Sequence, residues 1–220
     1  MDRWVCLDVG ETLIDETRIW SVWADVLAIP RLTFMAALGG VIARGGEHRD
    51  VFSEFGFAEA AWRALGPEVE RRYAGFQEQD LYPDARPAIA ALAQAGYRLS
   101  VLANQPASRS GELRALGIAP EVLAMSDEMA VAKPDPAFFI RALELMGDPP
   151  PERVAYVGDR VDNDVLPAMA AGLRAIWLRR GPWGVIQQLP NGAQPALVVG
   201  SLRELTESIS AVWPAAAGER

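Results

Sequence analysis

Cysteine and histidine each occur only once in this chain of 220 residues. A single cysteine, Cys6, cannot build a disulfide framework, and its position in the first apolar run predicts a small buried side chain. The single histidine, His48, lies in a polar, glycine-containing loop that is typical of neither a metal site nor a catalytic triad. The sequence therefore predicts neither a disulfide scaffold nor a histidine-centred site.

Positive charge and long apolar runs are also scarce. The net charge is −8 and no run is rich in lysine and arginine, so nucleic acid is not an expected partner. No apolar run approaches the roughly 20 residues that span a bilayer, and Asp8 and Glu11 interrupt the N-terminal run before it resembles a signal peptide. We therefore expect a cytoplasmic protein without a membrane partner. A site for anionic ligands would need a bound cation or local basic side chains.

What the chain does contain is a series of short, continuous apolar runs separated by helical stretches. Such runs are typical of strands buried on both faces of a parallel sheet. Strands are predicted at residues 4–7, 98–103, 122–125, 154–157, 175–178 and 197–199. Their alternation with helices predicts an α/β fold, a doubly wound, Rossmann-like parallel sheet.

Capping residues mark the helices between these runs. Helices are predicted at residues 84–95, 108–116, 136–146, 164–171 and 201–212. Asp135 precedes one of them and Ser201 begins another as N-caps, and Gly96, Gly117 and Gly172 follow the other three. The proline- and glycine-containing residues 181–194 are predicted to form a loop, and residues 214–220 a fraying tail.

Residues 16–81, here named the helical insertion, interrupt the alternation. They contain many aromatic residues and helix formers but no convincing strand. Glycine and proline divide them into about four short helices, with turn signals at Pro30, Gly39-Gly40, Gly45-Gly46, Gly56 and Gly66-Pro67. We interpret the helical insertion as a cap over the carboxyl edge of the sheet, where α/β proteins bind ligands. The predicted domains are a core of residues 1–15 and 82–220 and a cap of residues 16–81, with plausible hinges at 15–16 and 81–83.

The first predicted strand ends in a carboxylate. Residues 4–7 deliver Asp8 into a tight turn that continues through Gly10, Glu11 and Thr12. An aspartate in this place is most often a turn or capping residue. In a ligand-binding turn the same side chain could be a nucleophile.

Three later segments favour the second interpretation. Lys133 precedes Pro-Asp-Pro at a helix start and is either a surface lysine or a fixed cation for a carboxylate and a phosphate. Residues 158–164 follow a predicted strand and contain three aspartates and an asparagine. They form either a solvated acidic turn or an oxygen-rich site that suits Mg²⁺. Asn104 follows another strand and is either a turn residue or a donor to a substrate oxygen.

The order of these features resembles the haloacid dehalogenase (HAD) superfamily of hydrolases with a helical cap. The order is strand-Asp8, helical insertion, strand-Asn104, Lys133-Pro134, and then strand-Gly158-Asp159 followed by Asp164. The resemblance extends from Trp4 to about Gly184, and residues 133–136 and 158–164 are its most specific parts.

The resemblance implies a chemistry. Asp8 would attack the phosphorus of a phosphate monoester and form an aspartyl-phosphate that water hydrolyses. Mg²⁺ would be bound by the Asp8 carboxylate, the backbone carbonyl of Gly10 and Asp159. Lys133 would pair with Asp8 and the phosphoryl oxygens, and Asp164 would orient Lys133 or a metal-bound water.

The resemblance also implies the surroundings of the substrate. Gly10, Glu11, Thr12, Asn104 and Lys133 would bind it, with Thr12 stabilising the turn. The substrate would be a small phosphorylated metabolite. The sequence leaves open whether the protein is a monomer or a homodimer, because the aromatic residues of the helical insertion could be buried within it or form a dimer face.

Two positions depart from the family pattern. Gly10 stands where phosphatases of this superfamily carry a second aspartate, which protonates the leaving group and then activates water. Loss of such a group costs roughly 10²–10⁴ in rate, unless the adjacent Glu11 substitutes for it. Ala103 stands where the family has a serine or threonine, so one hydrogen bond to the phosphoryl group is lost.

Three functions are therefore weighed. The first is a Mg²⁺-dependent phosphatase that is slow or specialised because of Gly10. The second is a HAD-like pseudoenzyme that binds a ligand or a protein. The third is another displacement at Asp8, such as dehalogenation, but 2-haloacid dehalogenases carry an aromatic residue at the position of Gly10. Phosphonatases use a cap lysine, and residues 16–81 contain none.

Overall fold

The computed structural model describes residues 2–213, and the predicted tail at 214–220 lies outside them. Within the described residues the chain folds around a six-stranded, all-parallel sheet. The strands are β1 (Trp4–Leu7), β2 (Arg98–Ala103), β3 (Val122–Met125), β4 (Val154–Gly158), β5 (Arg174–Leu178) and β6 (Leu197–Val199), in the order β3-β2-β1-β4-β5-β6. The predicted α/β fold is confirmed. All six predicted strands form, and β4 and β5 are each one residue longer than predicted.

Both faces of the sheet are buried, which explains the continuous apolar runs. Along β1, Val5 and Leu7 belong to one hydrophobic cluster and Trp4 and Cys6 to another, because successive side chains of a strand point to opposite faces. All four side chains are at most 1% exposed. The expected burial of Cys6 is therefore confirmed.

Eleven α-helices lie within residues 2–213. They are α1 (Thr17–Val26), α2 (Arg31–Ala43), α3 (Val51–Glu54), α4 (Glu59–Tyr73), α5 (Ala85–Gln94), α6 (Ser108–Ala115), α7 (Ser126–Met129), α8 (Pro136–Leu145), α9 (Leu166–Ala170), α10 (Gly181–Ile186) and α11 (Leu202–Ser208). The predicted caps of α8 and α11 are confirmed: Asp135 Oδ1 accepts the Ala137 N–H at 2.9 Å, and Ser201 Oγ accepts the Glu204 N–H at 3.0 Å. The helix predicted at 164–171 instead begins with a turn of π-helix, Val161–Val165, before α9.

The helical insertion contains α1 to α4, which pack around a hydrophobic cluster of their own. Trp20, Phe34 and Phe52 lie at its centre, and Trp183 from α10 joins them. The prediction that residues 181–194 form a loop was therefore wrong for α10. Pro182 suits the first turn of a helix, and burial of Trp183 against the helical insertion stabilises that turn through a contact that is remote in sequence.

Two predicted turn signals lie inside helices. Gly39-Gly40 is part of α2, and Gly66-Pro67 is part of α4. Neither pair is favourable in a helix. However, α2 buries apolar side chains on both sides of its pair and α4 buries Val69 and Tyr73 after its pair, and this packing outweighs the local preference. Within residues 2–213 no single helix is long and apolar enough to cross a membrane; α1 and α2 reach that length and composition together but are bent by 115°.

The two connections of the helical insertion lie side by side. Ile14 and Leu81 form an isolated antiparallel bridge, and the Asp15 N–H donates to the Asp80 carbonyl at 2.7 Å. Arg18 at the start of α1 pairs with the buried carboxylate of Asp80, with its Nε 2.7 Å from Oδ1. The entry and exit of the helical insertion are thereby held together.

Candidate active site

The sheet changes winding direction between β1 and β4. The chain passes from β1 to β2 and β3 on one side, and then to β4, β5 and β6 on the other. In doubly wound folds this switch point, at the carboxyl ends of the strands, is where ligands bind. Asp8 directly follows β1, and Asp159 directly follows β4. A pocket of about 530 Å³ opens here, between the edge of the sheet and the helical insertion.

Lys133 lies at the floor of this pocket and is the single lysine of the chain. Its Nζ is 2.7 Å from Asp8 Oδ1 and 2.5 Å from Asp164 Oδ1, and its side chain is 1% exposed. Burial lowers the pKa of Lys133, but the negative charges of Asp164 and Asp8 outweigh burial and keep that pKa above its ordinary value. Lys133 is therefore a fixed cation that connects the end of β1 to the π-helical turn after β4.

Asp164 is held at both carboxylate oxygens. Oδ1 accepts from Lys133, and Oδ2 accepts the Arg160 backbone N–H at 3.0 Å. A Cβ on Gly158 would lie 2.4 Å from Asp164 Cγ, so a residue without a side chain is needed at the end of β4. Asp164 thus connects the Lys133 ammonium group, through one oxygen, to the backbone of the turn after β4, through the other.

Asn104 positions the backbone of the same lysine. Its Nδ2 donates to the Lys133 carbonyl and its Oδ1 accepts the Lys133 N–H, both at 2.8 Å. The peptide bond between Lys133 and Pro134 is cis. The amide group of Asn104 has two N–H donors, so one remains for a ligand in the pocket.

Three carboxylates crowd together beside Lys133 and could hold a metal ion. Oxygens of Asp8, Asp159 and Asp164 lie within 4.8 Å of one another, and Asp159 Oδ2 is buried with no hydrogen-bond partner among residues 2–213. Burial raises the pKa of Asp8 to about 6, although Lys133 lowers it. Burial and the charges of Asp164 and Asp8 raise the pKa of Asp159 well above its usual range. One lysine does not neutralise three buried carboxylates, and an all-oxygen donor set of this kind fits a hard divalent cation.

Gly10 also lines the pocket, but another residue fills the space beside it. A Cβ on residue 10 would lie 2.5 Å from Glu16 Oε1. That oxygen accepts a long hydrogen bond from Gln105 Nε2, at 3.4 Å. Burial, followed by the negative charges of Glu11 and Asp8, raises the pKa of Glu16 to about 8. The carboxyl group of Glu16 thus occupies the space that a side chain at position 10 would take.

The neighbouring residues of the turn have different surroundings. Glu11 accepts the Tyr82 hydroxyl at Oε2, 2.5 Å away, and the Glu16 N–H at Oε1, 3.0 Å away. Thr12 is fully buried, its carbonyl accepts from Arg180 at 3.1 Å, and it lies outside the pocket lining. Gly10, Glu11, Asn104 and Lys133 line the pocket. The structure therefore brings together every predicted substrate-binding residue except Thr12.

Several pocket residues were not among the predicted site residues. Glu16 lies in a connection, and Trp183 was assigned to a loop. His48 lies edge-on to Trp20 at 5.8 Å and to Trp183 at 6.1 Å. Arg160 donates to Glu47 of the helical insertion at 3.2 Å and lies 5.2 Å from the Trp183 ring. Each of these residues enters the pocket through contacts between the core and the helical insertion, which local patterns do not reveal.

Sequence comparisons identify relatives of the chain. A family of hydrolases described as haloacid dehalogenase-like hydrolase matches residues 3–172. A phosphoserine phosphatase of Thermus thermophilus is 33% identical over 198 residues, which are 87% of this chain and 74% of the relative. A glyceraldehyde 3-phosphate phosphatase of Methanopyrus kandleri is 33% identical over 131 residues. The chain spans 56% of the length of this second relative.

A solved structure has the same fold. The HAD-hydrolase YfnB of Bacillus subtilis, determined bound to magnesium, superposes with a TM-score of 0.72 at 19% sequence identity. The superposition covers 94% of this chain and 97% of that one.

Proposed function

The chain belongs to the haloacid dehalogenase-like hydrolases, and from this premise we propose that it is a Mg²⁺-dependent phosphatase of small phosphate monoesters. The observation that carries the proposal is the convergence of Asp8, Lys133 and Asp159 at the switch point of the sheet. Relatives that are named phosphatases support the same reaction class.

Asp8 is the nucleophile in this proposal. Its carboxylate attacks phosphorus and forms an aspartyl-phosphate, which water then hydrolyses. Lys133, 2.7 Å from Asp8 Oδ1, stabilises negative charge on the phosphoryl oxygens. Asp164 and Asn104 hold Lys133 in place through its ammonium group and its backbone.

Mg²⁺ is the proposed cofactor. Asp8, the Gly10 carbonyl and Asp159 would hold it, and the buried, unpartnered Asp159 Oδ2 supports this donor set. We assign Asp164 to Lys133 rather than to the ion, because its two oxygens already accept from Lys133 and from the Arg160 N–H. The ion would neutralise the acidic cluster and the phosphate charge.

The helical insertion is proposed to act as a cap domain, with residues 1–15 and 82–220 as the core. Trp20, His48 and Arg49 reach the pocket from this side and Arg160 from the other. The volume of about 530 Å³ suits a small phosphorylated metabolite. The aromatic and arginine side chains of the wall contact the part of the substrate beyond the phosphate.

Phosphate release from a panel of phosphomonoesters, including phosphoserine and glyceraldehyde 3-phosphate, tests the proposal. We expect turnover with Mg²⁺ that is lost with a chelator, and a loss of about 10³-fold or more in Asp8→Asn. Asp148→Asn, at an exposed position after α8, is the matched control and should keep full activity. Equal activity of Asp8→Asn and wild type would contradict the proposal. A folded wild type without turnover would favour the pseudoenzyme that binds a ligand.

A further inference from the structure

The pocket contains a carboxyl group in a place where the sequence gives no reason to expect one. Glu16 precedes α1, six residues after Gly10. Its Oε1 is 2.5 Å from the position that a Cβ of residue 10 would take, and Cδ is 3.0 Å from it. An aspartate at position 10 would project into this same volume. The carboxyl group of Glu16 can therefore occupy this volume because residue 10 has no side chain.

We infer that Glu16 is a catalytic residue, the proton donor to the leaving group and the base for the attacking water. From its position just before α1 it supplies the acid–base group that Gly10 lacks. The inference rests on the proposed phosphatase function. It assigns the acid–base role to a residue that belongs to the helical insertion, so the reaction would need residues from both parts of the chain.

Three other titratable groups of the pocket already have charged or hydrogen-bonding partners. Glu11 has one oxygen on the Tyr82 hydroxyl and the other on the Glu16 N–H. Lys133 is bonded to two carboxylates. Glu47 pairs with Arg160 on the far wall. Glu16, by contrast, faces the pocket with Oε1 held by the long contact from Gln105.

The proton balance of the two steps requires one group of this kind. In the first step an Asp8 oxygen bonds to phosphorus, the ester P–O bond breaks, and the leaving oxygen takes a proton from the Glu16 carboxyl group. In the second step the Glu16 carboxylate takes a proton from water, whose oxygen bonds to phosphorus. The bond between phosphorus and Asp8 then breaks, which releases inorganic phosphate and restores both carboxyl groups.

Leaving groups that differ in basicity test the inference with Glu16→Gln. An alkyl phosphate needs the proton, so its kcat should fall by about 10²–10⁴. Nitrophenolate leaves without a proton. With p-nitrophenyl phosphate the variant should therefore show a fast burst of nitrophenolate of about one equivalent, followed by slow turnover, and the mass of the protein should increase by one phosphoryl group.

Further variants distinguish loss of the Glu16 carboxyl group from a structural effect of the substitution. Glu16→Ala empties the volume beside Gly10. Adding Gly10→Asp to Glu16→Ala should increase the alkyl phosphatase activity at least tenfold over that of Glu16→Ala alone. Gly10→Asp alone should gain less than it does in the Glu16→Ala background, because its Cβ must first displace the Glu16 carboxyl group. Glu59→Gln, an exposed glutamate at the start of α4, should match wild type.

The outcomes separate this inference from the proposed function. Wild-type turnover that Asp8→Asn abolishes but Glu16→Gln leaves unchanged would overturn the role of Glu16 and leave the phosphatase intact. Equal losses of Glu16→Gln with alkyl and nitrophenyl esters, without a burst, would also overturn it. A wild type without turnover would overturn the phosphatase, and the role of Glu16 with it.

Discussion

His48 forms part of the pocket wall between the rings of Trp20 and Trp183. The His48 side chain is 33% exposed. Its partial burial, followed by the positive charges of Arg160 and Arg49, lowers its pKa from 6.5 to about 4. The charges of Glu47 and Asp50 oppose this shift without reversing it. Between these two pH values the unfolded chain binds a proton at His48 that the folded protein does not. The contribution to stability is therefore complete above about pH 6.5 and is lost as the pH falls towards 4.

Because the chain has one histidine, this prediction can be measured without assignment. The single imidazole Cε1–H signal in an NMR titration should show a midpoint near pH 4 rather than 6.5. The free energy of unfolding of His48→Gln should depend less on pH over that interval than that of the wild type. A midpoint at or above 6.5 would show that the imidazole is solvated and the wall is open.

The sequence allows some residues of the candidate site to be predicted but not others. Asp8, Asn104, Lys133 and Asp159 could be selected because each follows a predicted strand or lies at a helix start. Glu16 could not, because nothing near it in the sequence places its carboxyl group beside Gly10. That approach depends on where α1 packs, which is a tertiary property.

At the scale of helices and strands, an ion pair between Arg18 and Asp80 connects two segments of the fold. It joins α1 to the segment that leads back into the core, and Arg18 also lies over the Tyr73 ring at 3.9 Å. The Asp80 side chain is 2% exposed, so loss of its charge leaves Arg18 without compensation. The pair therefore anchors both connections of the helical insertion.

Asp80→Asn should lower the free energy of unfolding by about 3 kcal/mol or more, measured in urea. Asp25→Asn is the matched control, since Asp25 pairs with Arg31 on the surface, where both side chains are exposed. It should leave the urea midpoint unchanged, because exposed ion pairs contribute little. Equal effects of the two substitutions would show that burial of Asp80 does not matter.

The helices and strands that the sequence predicts correctly are those that residues within the element itself determine. The strands follow from apolar runs, and α8 follows from Asp135 and a proline at its first position. The short helix α10 was missed because its stability depends on Trp183 in the hydrophobic cluster of the helical insertion. Glycine and proline within α2 and α4 suggested turns, but burial of those helices decided otherwise.

At the scale of the whole molecule, a protein of net charge −8 has a buried acidic cluster at the carboxyl ends of the two central strands, β1 and β4. Asp8, Asp159 and Asp164 are each at most 7% exposed. Mutual repulsion there opposes folding, and a bound divalent cation removes that repulsion. Folding and metal binding should therefore be coupled.

Mg²⁺ should raise the melting temperature, since a ligand at about 100 times its Kd adds about 2.7 kcal/mol to stability. Asp159→Asn should melt higher than wild type in a chelator, because it removes a buried charge, and should not respond to Mg²⁺. Asp148→Asn should respond as the wild type does. A full response of Asp159→Asn to Mg²⁺ would place the ion elsewhere.

The central position of β1 has a consequence for how the chain is made. Trp4 pairs with Arg98 on one side and with Val154 on the other. During synthesis β1 therefore emerges before both of its neighbours, while the helices of residues 17–73 can already pack on one another. A polypeptide released before Val154 lacks β4, so one edge of β1 stays unpaired, and it also lacks Asp159 and Asp164 of the site. Such fragments should aggregate rather than work.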